Sequence, residues 1–241
     1  MATSQHPEFS IIIPAANEAA ALPECLRRIE RGPSEIVVVD GGSDDQTRTI
    51  AEEAGCRVIS LLDRHRARQM NCGAAAARGR ILLFPHADTW LPNGALGRIR
   101  SAIDERHALG GGFARRYRSP SLTLALTSRL ASLRNRVIGW HLGDQALFVR
   151  RDVFEQLGGY RDIQLFEDLD FSRRLRRLGR TVTLTPPVSS SARRFTARGP
   201  LRTTLDDLRL TRKYLLGIDP NELCQVPPDR LKTLQAYERL S

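Results

Sequence analysis

The sequence predicts an α/β protein with a mostly parallel central sheet flanked by helices. Short apolar runs alternate with helical patterns through the first ninety residues. Uninterrupted apolar strands are typical of a parallel sheet that is buried on both faces. Three of the runs lead into a polar side chain, namely Asn17, Asp40 and Asp88. Because ligands of such sheets bind beyond the carboxyl ends of the strands, these side chains predict a binding site there.

The first half of the chain divides into regular elements. Asn17 is positioned to cap the first helix, and Gly79 to end the third. We predict strands over 9–14, 35–40, 56–61 and 80–84, and the third helix over 67–78.

The second half is less regular. Apolar spacing predicts an amphipathic helix over 121–140, and we expect Leu122, Leu126 and Leu130 to pack on the core. Acidic residues open a further helix at 166–180 and basic residues close it, which suits the helix dipole. The other predicted elements are a helix at 91–105, strands at 110–117 and 181–187, a strand and short helix within 145–160, and a basic helix with a proline-broken tail from 199.

The charge of the 241-residue chain narrows the classes of partner. Its formal net charge is +10, and lysine occurs only at Lys213 and Lys232, so nearly all basic residues are arginine. Such a surface attracts phosphorylated small molecules first, an anionic membrane second and nucleic acid third. No nucleic-acid-binding module is recognisable in the sequence, so we predict no nucleic-acid partner.

Targeting and cysteine patterns predict a cytoplasmic protein. No apolar run approaches the roughly 20 residues that span a bilayer. The first ten residues lack the basic start and apolar core of a signal peptide. The cysteines show no metal-like or redox-like spacing, so we expect reduced thiols at Cys25, Cys56, Cys72 and Cys224.

Asp40 precedes two glycines, where the backbone can approach a ligand and the carboxylate can accept bonds from a ribose or a base. The first strand ends in PAANE, without the G-x-G-x-x-G of nicotinamide-binding proteins, and the chain has no P-loop lysine. These absences disfavour dinucleotide and P-loop sites.

Two further acidic positions are candidates for chemistry. Asp88 closes the fourth strand in LLFPHADTW, where a carboxylate beside a diphosphate would act through Mg²⁺ or Mn²⁺. The alternative is a cap on the next helix. Glu167 and Asp168 open a helix, where acids are favourable in any case. An upstream GGY loop would deliver them to a cleft, and the positive helix end would help keep Asp168 ionised as a general base.

Four segments together resemble the ordered motif set of the family-2 glycosyltransferases. They are SIIIPAANEAAAL, IVVVDGGSDDQT, HRARQMNCGAAAARGRILLFPHADTWLP and FVRRDVFEQLGGYRDIQLFEDLDFSRRLRRLGR. The resemblance covers residues 9 to about 195. The details HADT, GDQALFVRR and SARRF are most similar to a bacterial radical-SAM- or selenodomain-associated subgroup labelled arsenosugar biosynthesis glycosyltransferase.

The resemblance implies a Rossmann-like GT-A fold in one domain over 1–241. Residues 9–90 would form the nucleotide-sugar-binding half, 91–195 the acceptor half and 196–241 a helical tail. It also implies inverting transfer from a nucleotide-sugar donor, with UDP favoured, to a small-molecule or lipid-linked acceptor. A divalent metal, Mn²⁺ or Mg²⁺, would assist.

Carried over residue by residue, Asp168 matches the catalytic base, and Glu167 would contact the acceptor or hold the loop. Arg66, Arg68 or Arg194 would pair with the diphosphate. The positions that match donor binding are Pro14, Ala15, Asn17, Glu18, Asp40, Gly42, Asp45, Arg66, Gln69, His86, Ala87 and Asp88.

HAD stands where the family has D-x-D. Asp88 fills the position that touches metal, and His86 replaces the first acid, so one oxygen ligand or ribose contact is lost. A neutral imidazole could bond the ribose or bind Mn²⁺ instead. No histidine follows His141, so Arg193 and Arg194 are candidates to supply charge to the leaving diphosphate.

The segment before the second-half strand predicts a sugar or acceptor pocket lined by Trp140, Asp144 and Gln145. The alternative is a polar turn before a strand. A catalytically degenerate binding or scaffold protein and a sugar nucleotidyltransferase are the rival functions. A peripheral contact of the 122–140 helix and the basic tail with the inner membrane is a partial alternative.

Overall fold

The structure is a computed structural model that describes residues 7–30 and 32–223. Its strands are β1 (Phe9–Ala15), β2 (Ser34–Asp40), β3 (Arg57–Ser60), β4 (Ile81–Phe84), β5 (Gly110–Tyr117), β6 (Leu147–Arg150) and β7 (Thr181–Ser190). Its helices are α1 (Leu22–Arg27), α2 (Thr47–Glu53), α3 (Arg66–Ala76), α4 (Ala95–Asp104), α5 (Leu122–Ile138), α6 (Arg151–Gln156), α7 (Glu167–Leu178), α8 (Arg193–Arg198), α9 (Pro200–Leu215) and α10 (Pro220–Leu223), with a 3₁₀ turn at Gly143–Gln145.

The strands form one sheet in the order β3-β2-β1-β4-β6-β5-β7. β1 pairs in parallel with β2 and β4, β2 with β3, and β5 with β7. β6 is antiparallel to both of its neighbours. The predicted mostly parallel α/β sheet is therefore confirmed, and the predicted strands agree with the observed ones to within a few residues.

Helices cover both faces of the sheet. Along β1, Ile11 and Ile13 face one side and pack in a cluster with residues of α1 and α4, including Leu22 and Ile99. Ile12 faces the other side and packs with residues of α3, α6 and α7. Burial on both faces explains why the strands are continuous apolar runs.

The predicted direction of the amphipathic α5 is wrong. Leu122, Leu126 and Leu130 are exposed to solvent and do not pack on the core. The face that turns inward carries Leu124 and Ser128. In the described part of the chain, no helix combines the length and apolar character needed to cross a membrane.

In the described part of the chain, Cys25, Cys56 and Cys72 form no disulfide. Cys224 and the tail beyond it lie outside the described residues.

Candidate active site

The strand ends converge at one edge of the sheet. The loops after β1, β2 and β4 meet there because these strands are parallel. β6 runs the opposite way, and the pairing of Phe84 with Leu147 places the segment before β6 beside the segment after β4. A Cβ added to Gly143 would clash with the imidazole of His86 and would lie 3.3 Å from Oδ2 of Asp168. Residues from three distant parts of the chain therefore meet at this edge of the sheet, which we call the cleft.

The loops after β1 and β2 are tied to each other by side chains. The buried Asp40 carboxylate accepts the backbone N–H of Ser43 at 3.2 Å and its hydroxyl. Oδ1 of Asn17 accepts the N–H of Asp44 at 2.9 Å. The predicted cap by Asn17 is wrong, because α1 begins only at Leu22. Asn17 has a φ of 54° and joins the two loops.

Asp45 joins the same loops from the other side. Its Oδ2 accepts the N–H of Ala19 at 3.0 Å, and its Oδ1 accepts the N–H of Thr47 at 2.9 Å. Partial burial raises the pKa of Asp45, but these hydrogen bonds outweigh it and leave the pKa below its usual value. Gly42 turns the loop with a φ of 79°, which glycine adopts without strain.

Three predicted donor-binding residues form the floor of the cleft. Pro14 and Ala15 lie within β1 and are buried. Gln69 is also buried, and its Nε2 donates to the carbonyl oxygens of Ala15 at 2.9 Å and Val39 at 2.8 Å. The Gln69 amide therefore ties the ends of β1 and β2 together.

The three arginines predicted to bind a diphosphate each pair with a carboxylate in a different part of the structure. The half-exposed Arg66 lies with Nη1 3.2 Å from Oε1 of the buried Glu167. Arg68 pairs with Asp162 at 2.8 Å, and Arg194 pairs with a carboxylate of α9. Arg66 is thus the member of this group that contacts the acidic start of α7.

Arg193 enters the site from α8. Its Nη2 lies 2.9 Å from Oε2 of Glu18 and 3.3 Å from Oδ2 of Asp88. Burial raises the pKa of Glu18, and the nearby guanidinium of Arg193 offsets this only in part. Arg118 holds the backbone beside it, donating to the carbonyl oxygen of Asp88 at 2.8 Å. The alternative role of Asp88 as a helix cap is wrong, since α4 begins at Ala95.

His86 carries an orphaned polar atom. Its Nε2 is buried without a hydrogen-bond partner among the described residues. Burial lowers the pKa of His86, and the charge of Arg66 lowers it further, so the imidazole is neutral at pH 7. Ala87 is buried between His86 and Asp88.

The fit of these residues to a divalent metal is partial. Within 7–30 and 32–223, no three His, Cys, Asp or Glu side chains are grouped to hold an ion. The chain offers the Asp88 carboxylate and the unpartnered Nε2 of His86. Mn²⁺ accepts such oxygen and imidazole ligands, and a bound diphosphate could provide the remaining oxygens. Asp88 and His86 are therefore candidate ligands only, and an ion would need further ligands from a bound donor.

Glu167 and Asp168 begin α7, as predicted. Oδ2 of Asp168 accepts the N–H of Gly143 at 2.6 Å, and Oδ1 accepts the N–H of Leu169 at 2.6 Å. Burial and the adjacent Glu167 nevertheless raise the pKa of Asp168 to about 6. The positive helix end, expected to help keep Asp168 ionised, does not bring its pKa down to the usual value. A pKa near 6 suits a base that works near neutral pH.

Asp144 faces the cleft from the 3₁₀ turn. Its Oδ2 accepts hydrogen bonds from Arg115 and, at 3.3 Å, from the Tyr117 hydroxyl. Burial raises the pKa of Asp144, but Arg115 outweighs it and the pKa falls below its usual value. Oε1 of Gln145 accepts the N–H of Leu142 at 2.8 Å. Oδ1 of Asp144 and Nε2 of Gln145 are buried without partners among the described residues.

Trp140, the third predicted pocket residue, contacts Arg173 of α7, which also contacts Tyr214 of α9. The guanidinium of Arg173 lies 5.5 Å from the ring centroid of Trp140 and 5.8 Å from that of Tyr214. Tyr214 in turn stacks on Phe166 at 4.9 Å. Phe166 directly precedes the acidic start of α7.

Sequence reasoning missed the contribution of β5. Arg115 and Tyr117 bind Asp144, and the neighbouring Arg118 stacks on Trp90 at 3.9 Å as well as holding the Asp88 backbone. The signal was present in GGGFARRY, where charged residues follow a buried apolar stretch of a strand.

The family model for glycosyl transferase family 2 matches residues 10–158. The chain belongs to this family. It is similar to the PGL/p-HBAD biosynthesis glycosyltransferase of Mycobacterium bovis (strain BCG / Pasteur 1173P2), with 36% identity over 183 residues, 70% of this chain and 69% of the relative. It is also similar to glycosyltransferase AglE of Haloferax volcanii, with 29% identity over 66% of this chain and 57% of AglE.

Solved structures agree on the fold of this family 2 member. S. aureus TarS 1-349 in complex with UDP has a TM-score of 0.64 at 20% identity, and the match covers 78% of this chain and 62% of that one. The mannosyltransferase PcManGT from Pyrobaculum calidifontis, in complex with GDP-Man and Mn²⁺, has a TM-score of 0.62 at 18% identity, covering 98% of this chain and 86% of that one. The chain therefore spans about three fifths of the TarS fragment, and its GT-A fold is confirmed.

Proposed function

We propose that the protein is an inverting glycosyltransferase that moves a sugar from a nucleoside diphosphate donor, with UDP favoured, to an acceptor hydroxyl. One observation carries the proposal. A buried carboxylate with a pKa of about 6, Asp168, faces the cleft in which Arg66, Asp88 and Arg193 also lie. Family membership and the UDP and GDP-Man complexes of similar folds support the class of donor.

The transfer is a single displacement. Asp168 takes the proton of the acceptor hydroxyl, and the oxygen forms a bond to the anomeric carbon. The bond from that carbon to the diphosphate oxygen breaks, and the nucleoside diphosphate leaves with the electron pair. Glu167 keeps the pKa of Asp168 high and holds Arg66. Arg66 and Arg193 stabilise the charge on the departing diphosphate.

A divalent ion would be held by Asp88, with His86 as the second candidate ligand, and would neutralise charge on the diphosphate. Arg193 already places a cation 3.3 Å from Asp88, so part of that charge is supplied by the chain. The donor-binding roles of Asn17, Asp40 and the other matched positions stay predictions, as do the cytoplasmic location and the arsenosugar-associated subgroup. The acceptor, small or lipid-linked, is a proposal on the same footing.

Replacing the base gives the decisive test. Asp168→Asn should reduce kcat by about 10²–10⁴-fold, because the amide cannot take the proton, while the Kd for the donor stays within about twofold. A thermal-shift screen of nucleotide diphosphates and nucleotide sugars, with Mn²⁺, Mg²⁺ or EDTA, first identifies the donor, since a ligand of the folded state raises Tm. Calorimetry then gives Kd and product analysis gives kcat.

Asp152→Asn is the matched control. Asp152 is also an acid in the first turn of a helix, α6, but it is exposed and pairs with Arg150. It should leave kcat unchanged. An Asp168→Asn variant with full activity would remove Asp168 as the base. Absence of a shift with every nucleotide would favour the rival hypothesis of a degenerate, non-catalytic binding protein.

Asp88 and the metal are tested separately. Asp88→Ala should weaken donor binding in Mn²⁺ and should make the Kd insensitive to EDTA. Arg193→Gln should weaken donor binding equally with and without EDTA, because its charge does not depend on the ion. Identical Kd values for wild type and Asp88→Ala, with and without EDTA, would show that Asp88 does not hold a metal.

A further inference from the structure

α5 exposes an apolar stripe to solvent. Five side chains along it are between 57% and 86% exposed, namely Leu122, Leu126, Leu130, Leu133 and Val137. At 3.6 residues per turn, they fall within an arc of roughly 80°. A contiguous exposed apolar stripe of this kind marks an interaction surface rather than a chance exposure.

The inward face of α5 is more polar than the outward one. Its buried residues are Leu124, Ser128 and Asn135. The Ser128 hydroxyl and the Asn135 amide nitrogen are buried without partners among the described residues. A helix that served only the core would place leucines inward and these polar residues outward. The sequence of α5 is therefore suited to a contact on its outer side.

α9 repeats the pattern beside it. Leu201, Leu205, Leu208 and Leu215 are between 40% and 67% exposed and also fall within an arc of roughly 80°. Its buried residue is Thr203. α5 and α9 contact each other. We call the two stripes together the leucine surface, made of Leu122, Leu126, Leu130, Leu133, Val137, Leu201, Leu205, Leu208 and Leu215.

The charges that border the α5 stripe of the leucine surface are positive. α5 contains no acidic residue, and its exposed Arg129 and Arg136 border the stripe. In the described part of the chain, neither arginine forms an ion pair. On α9, the exposed Arg202 and Lys213 lie along one side of the stripe. α9 also carries two acidic residues, Asp206 and Asp207, which pair with Arg209 and Arg194. The surface therefore combines leucines with an excess of basic side chains.

We infer that the leucine surface docks on an anionic lipid bilayer. An interfacial helix places its leucines at the acyl boundary and its arginines among the head groups. A second copy of the chain is a poorer occupant, because symmetric pairing would bring the same arginines together. The inference goes beyond the proposed transfer and does not depend on it, since docking needs neither donor nor acceptor.

The docked surface would adjoin the acceptor side of the cleft. Tyr214, on α9, stacks on Phe166, and its hydroxyl lies 3.4 Å from Oδ1 of Asp170. Phe166 leads directly into the acidic start of α7. Docking through α9 therefore holds the bilayer close to the segment that carries Asp168.

Vesicle co-sedimentation of the 241-residue chain tests the inference. Vesicles of phosphatidylglycerol and phosphatidylcholine in equal parts should bind the protein at least about tenfold more tightly than pure phosphatidylcholine, and added salt should reduce the difference. Wild type that fails to sediment with the anionic vesicles would overturn the inference.

The triple variant Leu126→Ser, Leu130→Ser, Leu133→Ser should lose vesicle affinity by more than about tenfold, because three side chains no longer enter the acyl boundary. Its Tm should match wild type, since all three are exposed. The control is Leu62→Ser with Leu178→Ser, which removes exposed leucines outside the surface and should bind as wild type does. Equal binding by the triple variant and wild type would overturn the inference.

Light scattering, which measures molecular mass, tests whether a second copy of the chain covers the leucine surface instead. Wild type should be of the same mass as the triple variant in the absence of vesicles. A wild-type dimer that the triple variant converts to a monomer, together with no vesicle binding, would assign the leucine surface to a second copy and overturn the bilayer assignment.

Discussion

The donor side and the acceptor side of the cleft satisfy their polar groups in different ways. On the donor side, Asn17 and Asp45 accept backbone N–H groups from the neighbouring loop, and Asp40 accepts one within its own loop. On the acceptor side, Asp144 and Gln145 each retain a buried polar atom without a partner among the described residues.

This difference suggests that the donor side gives the site its fixed shape and that the acceptor side carries the reacting groups. Hydrogen-bonded loops hold a fixed shape, which suits the binding of a common donor. Unpartnered buried atoms lower stability and persist where a ligand or a reaction makes use of them. The raised pKa of the candidate base Asp168 occurs on the same side as the unpartnered atoms, since Asp168 accepts the N–H of Gly143 in the same turn. The acceptor side is therefore where we expect specificity to be determined.

The largest effect on stability is expected at Arg115. Arg115→Met removes the cation that faces Asp144 and leaves a carboxylate in a mostly buried position. Loss of one partner of a buried pair costs 3–5 kcal/mol, and the partial exposure of Asp144 reduces this to about 2–4 kcal/mol of unfolding free energy. Urea denaturation followed by circular dichroism measures the change.

The matched control is Arg150→Met, which breaks the exposed pair with Asp152. It should cost less than about 1 kcal/mol. If the two variants lose the same unfolding free energy, the Arg115–Asp144 pair contributes no more to stability than a surface pair.

A smaller loss is expected on the donor side at Gln69. Gln69→Leu fills a similar volume but leaves the carbonyl oxygens of Ala15 and Val39 without their side-chain donor. The expected cost is about 1–3 kcal/mol of unfolding free energy. Gln46→Leu, at an exposed position before α2, should change stability by less than about 0.5 kcal/mol. If Gln69→Leu leaves the free energy of unfolding unchanged, the amide does not stabilise the sheet and its role is in ligand binding.

The smallest effect is a change in pH dependence. The transfer rate should fall as pH drops through about 6, because Asp168 is then protonated and cannot act as a base. Glu167→Gln removes a negative charge that raises the pKa of Asp168, so the acid limb of kcat/KM should move to lower pH. Rate measurements across the acid range locate the limb.

Asp152→Asn should leave that limb where wild type has it, because Asp152 lies on α6. A limb that Glu167→Gln does not move, or moves to higher pH, would contradict the coupling between the two acids of α7.

Local pattern predicted the sheet and its strand-end acids correctly. Apolar runs identify β1, β2 and β4, and the position of Asp40 and Asp88 after such runs is a property of the adjacent sequence. Contacts between residues distant in sequence could not be predicted from local pattern. Arg193 meets Glu18 across 175 residues, and no local spacing relates the two. Their pairing depends on how α8 packs, which the order of elements alone does not determine.

The direction of α5 was wrong for a related reason. Periodicity identifies residues that share a face, such as Leu122, Leu126 and Leu130, but it does not say toward what that face turns. The core under α5 is completed by Tyr117 and Phe195, with Leu124 from the opposite face of the helix. The apolar stripe was therefore left outside.

The reversed strand β6 determines which positions of the turn before it can be varied. Its pairing with β4 fixes the backbone from Phe84 and Leu147 onward, so the turn at Gly143–Gln145 enters the cleft from a rigid base. Gly143 itself leaves no space for a side chain beside His86. A library that varies 145, keeps glycine at 143 and keeps Asp144 with its partner Arg115 would sample acceptor choice without breaking the buried pair or disturbing the donor loops.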